Sequence, residues 1–406
     1  MVSISPRQCN KFVEWIVFFL LILTISNTAQ ICFVETFKFG VVALLVTISV
    51  AIRKKIDPVF LYIFICWLII NAIYSFVFSQ PFSINKIIGY FLPVAIAYFS
   101  MKIIGASFWR KFEKWLYVLT VISIIMYIGN VLFPGVYDSL SSVFGRYIAE
   151  FYTEARPTSW YAFVYTHSPI EDFDYIRNAG FMWEAGAFAM MSLIAFIYRF
   201  CKNGMKLDLH CYIYIVAIVT TFSSAGYLAL MLFFIYYFIN KRNFWSTALL
   251  MVLIFVCIPY IYQLEFMSEK FEEYASGASL NAASYNERLE MFEYNRFLVF
   301  EINMKRMLEW PFGYGVHNIT DFSGLKFVGV NGIAVFARMW GVCGLLLLLN
   351  AIYKTTKRFN PDAKNITSFF MLFAILIMFF SNPIESSAIP WLFCFTPFIY
   401  KYNKVI

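Results

Sequence analysis

Apolar residues come in blocks along this chain, each about as long as a membrane is thick, with short polar stretches between them. A helix needs roughly 20 apolar residues to cross ~30 Å of hydrocarbon. On that measure the pattern predicts spans near 13–28, 37–52, 58–78, 85–104, 115–133, 179–200, 209–222, 225–240, 244–263, 328–353, 366–381 and 385–400. The run "LHCYIYIVAIVTTFSSAGYLALMLFFIYYFIN" (209–240) is too long for one ordinary span and short for two. Charge decides how it divides. Clusters at Arg53/Lys54/Lys55, Arg110/Lys111/Lys114, Lys202/Lys206, Lys241/Arg242, Lys354/Lys357/Arg358 and Lys401/Lys404 share one side only if "TFSSAG" turns between two short helices. The positive-inside rule then makes that side cytoplasmic, with both termini on it.

The expected architecture is an all-α polytopic membrane protein of about 12 transmembrane helices, a single membrane domain over 1–406. Two long segments, at about 134–178 and 264–327, fall on the outer side, and every other connection is short. Chemistry is therefore expected on the outer face. "FVEWIVFFLLILTIS" lacks a small-residue cleavage site and is soon followed by another span, so it reads as the first membrane helix. The two halves differ in span spacing, so no inverted repeat of transporter type shows.

Composition agrees. The chain is 61% hydrophobic and 14% charged, where a soluble domain averages ~45–50% and ~25%. The net charge of +8 is scattered in short clusters between apolar runs, which excludes a nucleic-acid surface. The eight Cys lie in or beside apolar runs, so neither disulfides nor a Cys-based metal site is expected.

Candidate chemistry starts at "IRNAGFMWEAGAFAMMSLIAFIY", which opens on Arg177 and places Glu184 in its first turns. An ionisable side chain kept in lipid, at roughly 2.5–3.5 kcal/mol on insertion scales, is a functional-site hypothesis by default. Seven residues apart, the two share a helical face if the helix already includes Arg177. Gly180, Ala185, Gly186 and Ala187 around them let a helix or substrate approach closely. In the second outer segment Leu289, Phe292, Val299 and Ile302 recur at helical spacing, interrupted by Arg296. Arg288, Arg296, Lys305 and Arg306 make this segment basic, and Arg suits bidentate contact with phosphate oxygens. "WPFGYGVHN" bends at Pro311, Gly313 and Gly315 and holds His317 and Asn318 at the membrane surface. "EDFDY" (171–175) contains an Asp-x-Asp, a spacing that holds metal in many glycosyltransferases, but so short a match is cheap. The aromatics of "PTSWYAFVYTH" fit sugar stacking or, more commonly, an interfacial belt.

These segments resemble one family. "RNAGFMWEAGAFA" is similar to the Arg…Gly-Phe…Glu-Pro-Gly pattern of bacterial O-antigen polymerases (Wzy) and O-antigen ligases. "TTFSSAGYLAL" resembles that superfamily's Thr-x-Ser-Arg-x-Gly hairpin, and "NERLEMF…EWPFGYGVHN" its Arg…Pro-x-x-Gly-x-Gly…His-Asn loop. Ser224 stands where many members have Arg, and Ala185 where Pro is common. The resemblance, over about residues 170–345, implies a GT-C-like, metal-independent glycosyltransferase in the bacterial inner membrane, with periplasmic loops and no cofactor. Its expected partners are undecaprenyl-diphosphate-linked oligosaccharides as donor and acceptor, and a chain-length-regulating co-polymerase. The expected reaction is attack by an acceptor hydroxyl on the anomeric carbon, with inversion, as lipid diphosphate leaves. Arg177 and Arg288 are the first choices for the diphosphate, with Arg296 and Arg306 in reserve. Glu184 and His317 are the candidate bases, and Tyr314 and Asn318 the candidate glycan contacts.

The nearest rival is an O-antigen ligase, which passes the finished chain to lipid A-core and shares these motifs. A lipid-linked oligosaccharide flippase calls for charges along a path through many spans, and most spans here carry none. A pure scaffold leaves the outer Arg, Glu and His unused.

Overall fold

The computed structural model describes residues 11–26, 35–53, 57–79, 82–137, 139, 159–161, 165–170, 173–241, 284–286, 291–293, 296–316, 327–328 and 331–403. Helices dominate them. In chain order these are α1 (Lys11–Ser26), α2 (Glu35–Arg53), α3 (Pro58–Val77), α4 (Ile84–Ile104), α5 (Phe108–Leu132) and α6 (Ala185–Lys202). There follow α7 (Leu209–Thr220), α8 (Ser224–Lys241), α9 (Arg296–Glu309), α10 (Gly332–Phe359), α11 (Asn365–Ser381) and α12 (Ile389–Asn403). All but α9 fall on predicted spans, and the predicted span 244–263 lies outside the described residues. Among the described residues, four stretches are long and apolar enough to cross a membrane: α3, the α4–α5 run, α6 and α10. Along α3, Tyr62, Ile65, Ile69, Ile73 and Phe76 are exposed, Phe76 at 88% of its surface. A row of large apolar side chains facing outward fits lipid rather than water. The architecture is that of a helical membrane protein.

The division of 209–240 is as expected. α7 stops at Thr220 and α8 starts at Ser224. Between them Thr221 Oγ1 accepts from the Ser223 amide at 3.2 Å, and Ser223 Oγ accepts from the Gly226 amide at 3.3 Å. Short hydroxyl side chains here satisfy amides that a helix start leaves bare.

By contacts the chain forms two compact units, Met1–Phe188 with Ser386–Ile406, and Ala189–Glu385. In the first, Phe112 stacks on Phe18 and on Phe108, and Trp109 Nε1 donates to Thr396 Oγ1 at 2.9 Å. Asp57 caps the start of α3, accepts from the Tyr98 hydroxyl and pairs with Lys102. A buried carboxylate needs that company. In the second unit, Tyr236 on α8 shares a hydrogen bond with Thr367 on α11, and Tyr353 on α10 packs against Phe369. Arg199 at the end of α6 pairs with Asp208, which caps α7.

Among the described residues, two small sheets stand where only loop and helix were expected. The first joins β1 (Ser159–Tyr161), β2 (Tyr165–Ile170) and β3 (Phe173–Gly180) in antiparallel order. Tyr, Thr, Phe and Ile suit a pleated, half-buried surface. Pro169, in the central strand, sits where the register shifts, which is where a strand tolerates a missing amide. Tyr165 is fully buried, and its hydroxyl accepts from Asn130 at 3.2 Å. This tyrosine is therefore core rather than an interfacial or sugar-stacking ring. The second sheet joins β4 (Ser284–Asn286), β5 (Met291–Glu293) and β6 (Phe327–Val328).

Candidate functional site

Arg177 lies in β3, opposite Ser168 on β2, and is not helical. The helix starts at Ala185, so the expected shared helical face of Arg177 and Glu184 does not exist. Between strand and helix, Gly180 adopts φ +56°, and a Cβ there would lie 2.6 Å from the Phe188 ring. The turn continues with Met182 N donating to Ala179 O at 3.0 Å, and Trp183 N to Ser26 O at 3.0 Å. Glu184, half-buried, then stands at the helix N-terminus, its carbonyl accepting from the Phe188 amide at 3.1 Å. A carboxylate is favoured there by the helix dipole. The sequence departs from helix this late because "FDYIRNAG" pairs with β2 before the small residues of α6 begin.

In the second unit the basic loop becomes α9. Val299, Ile302, Asn303 and Met307 are buried, and Val299 and Ile302 pack with Val335 on α10. Phe297 and Phe300 pack against Phe380 on α11, with ring centroids 5.3 and 5.6 Å apart. The expected apolar stripe is shorter than the pattern implied, because Phe292 belongs to β5 and the helix begins at Arg296. Arg296 is half-buried, and its carbonyl accepts from Asn331 Nδ2 at 3.1 Å. The other side of that amide caps α10, with Oδ1 accepting from the Ala334 amide at 3.1 Å. Asn331 thus ties the start of α9 to the start of α10.

Beyond α9, the loop of Pro311, Gly313, Tyr314 and Gly315 is bonded to a break in α10. At Gly341 the backbone takes φ 66° and ψ −170°. An uninterrupted helix would send the Val342 amide to the Arg338 carbonyl. Instead Val342 N donates to Pro311 O at 2.8 Å, and Arg338 O accepts from Tyr314 N at 2.9 Å. Met339 O likewise accepts from Gly315 N at 3.0 Å. The break therefore leaves none of these groups wanting, which irregular backbone in a membrane helix requires. Contact is so close that a Cβ on Gly313 would lie 2.5 Å from Met339 O, and one on Gly341 2.1 Å from Pro311 O.

This splice gathers charge. Arg306 Nη1 pairs with Glu309 Oε2 at 2.9 Å. Burial raises the Tyr314 phenol above its ordinary range; Glu309 adds to this, and the Arg306 and Arg338 guanidiniums oppose it. Arg338, itself buried, also acts on Glu385 in the turn after α11. Burial pushes the Glu385 carboxyl up to about 7, against the pull of its own backbone amide and of Arg338. Part of Glu385 reaches the surface, but its Oε2 is inaccessible.

Of the expected site residues, the structure thus groups Arg306 and Tyr314, places Arg296 at the head of the same helix, and places Arg177 and Glu184 in the other unit. Arg288, His317 and Asn318 lie outside the described residues. Sequence reasoning missed Arg338 and Glu385. Arg338 carried the same signal as Arg177, an ionisable residue inside the apolar run "GIAVFARMWGVCG". Glu385 was absorbed into the predicted last span, whereas α12 starts at Ile389. The chain matches no protein-family model and no curated protein sequence.

Proposed function

We propose that this protein is a polysaccharide polymerase of the O-antigen type, a GT-C-like glycosyltransferase of about 12 spans in the bacterial inner membrane. It joins undecaprenyl-diphosphate-linked repeat units on the periplasmic face, with lipid diphosphate as leaving group. The observation that carries this reading is the group formed by Arg306, Tyr314 and Arg338 at the α10 break. It lies on the half of α10 away from Lys357 and Arg358, which cap the other end and which the positive-inside rule assigns to the cytoplasm. Cations preset around a departing diphosphate stabilise the charge that develops there, and usually supply the largest catalytic contribution. Arg306, Arg296 and Arg288 bind diphosphate in this scheme, and Glu184 orients Arg177 in the first unit. Tyr314 and Asn318 hold sugar hydroxyls, and His317 contacts the acceptor. Orientation of two lipid-linked sugars supplies much of the rest.

The test is the lipopolysaccharide banding pattern of the host with the gene deleted and then restored. A polymerase leaves a single-repeat band on deletion and regains the ladder on restoration. Loss of every O-antigen band, with polymer accumulating on undecaprenyl diphosphate, means ligase. An unchanged pattern overturns both.

A further inference from the structure

Glu385 and Asn382 share the turn between α11 and α12, and both present buried acceptors. Asn382 is fully buried and donates from Nδ2 to Met378 O at 2.7 Å, while its Oδ1 has no hydrogen-bond partner among the described residues. Glu385 Oε2 has none either. Buried acceptors without donors are costly, and a ligand hydroxyl is one group that relieves the cost. The turn is held close to α10, since a Cβ on Gly332 would lie 2.1 Å from Asn382 O and 2.7 Å from Ile384 N. That contact brings the turn to the half of α10 that carries Arg338.

We propose that Glu385 is the proton acceptor of the transfer step, with Asn382 holding the attacking sugar hydroxyl beside it. The inference rests on the polymerase reading. In the step, the acceptor oxygen forms a bond to the anomeric carbon of the donor. The anomeric carbon–oxygen bond to phosphate breaks, and its electron pair leaves with the lipid diphosphate. The acceptor's proton passes to the Glu385 carboxylate, and from there to water. A base working near neutral pH needs a pKa near that pH. Burial places this carboxyl at about 7, while Arg338 limits the rise. The other groups bearing on it are few. α11 carries no charged residue, and on the loop side Arg338 acts also on Tyr314, as Arg306 and Glu309 do. Glu184 and His317 are then left to orientation and acceptor contact.

The experiment uses full-length protein in nanodiscs and undecaprenyl-diphosphate-linked glycan extracted from the deletion host, with polymerisation rate measured from pH 5.5 to 8.5. The wild type should rise through about pH 7 as the carboxyl ionises. Glu385→Gln should lower the rate by roughly 100-fold or more and remove that rising limb. Glu385→Asp should keep a limb at a shifted midpoint. A Gln variant that retains both rate and limb overturns the proposal, as does a limb removed by His317→Ala or Glu184→Gln instead. If the Gln variant does not accumulate, an unshifted limb in Glu385→Asp overturns it equally. A wild type that makes no polymer fails the parent reading, which is a different result from an active wild type indifferent to residue 385.

Discussion

Asn331 shows how much one side chain can fix. Its amide spans two helix starts, accepting from Ala334 to cap α10 and donating to the Arg296 carbonyl. Losing an Asn cap costs about 1 kcal/mol, and an abandoned buried carbonyl adds a similar amount. Asn331→Ala should therefore lower the thermal midpoint of the detergent-extracted protein, and Asn331→Asp, which keeps the cap but not the donor, should fall between. Equal midpoints for all three would remove the tie from the account. Glu385 makes a second prediction at this scale. Its folded pKa, about 7, lies above the ordinary carboxyl value. The associated stability is full below the unfolded pKa and is lost as pH rises through 7. From pH 5 to pH 8 that loss is about 3 kcal/mol for this group. Wild-type melting should fall across that window, and Glu385→Gln should flatten the fall. Arg338→Ala should move the decline to higher pH, though removing a buried cation also costs packing. A wild type and a Gln variant with parallel pH profiles would contradict the assignment.

At the scale of elements, the break in α10 matters most. Gly341 and Gly313 meet so closely that neither has room for a side chain, and both have positive φ. Gly313→Ala and Gly341→Ala should each cost more than about 2 kcal/mol, from strain plus displaced backbone. Both should also depress glycan transfer, because the break sets where Arg338 and Tyr314 lie. Gly135→Ala, with open space around its Cβ position, is the control. What was legible in the sequence also divides by element. Long apolar blocks were legible because burial or lipid contact around a whole helix leaves a continuous run. The α7–α8 hairpin was legible because charge sidedness demanded it, and Thr221 and Ser223 then supply the turn. The sheet of β1–β3 was not, because the eight residues of β3 mix aromatic, charged and small side chains and carry no clear period. Arg177 was misplaced for that reason. Arg338 was legible in principle, as a charge within an apolar run. Its partner Glu385 was not, because only the fold brings the turn after α11 to the half of α10 that bears it.

At the scale of the whole molecule, membrane helices, the basic group at the α10 break and a buried carboxyl together support the proposed activity, sugar transfer from a lipid diphosphate without a nucleotide donor. On the proposed reading its substrates are lipid-linked, so they arrive already oriented at the membrane surface, and the protein's task is to set charge and geometry around them. Arg306→Ala should lower the transfer rate on the order of 10–100-fold while leaving folding intact, because its ion pair with Glu309 is partly exposed. Such a variant, assayed for polymer and for melting together, separates a diphosphate ligand from a surface charge. The most direct measurement is a purified reaction. Protein in nanodiscs would be incubated with undecaprenyl-diphosphate-linked repeat units and no nucleotide sugar, and the lipid-linked products resolved by mass spectrometry. The account predicts a series differing by one repeat unit, with free undecaprenyl diphosphate released in step. Repeat units recovered unchanged from folded protein would contradict it.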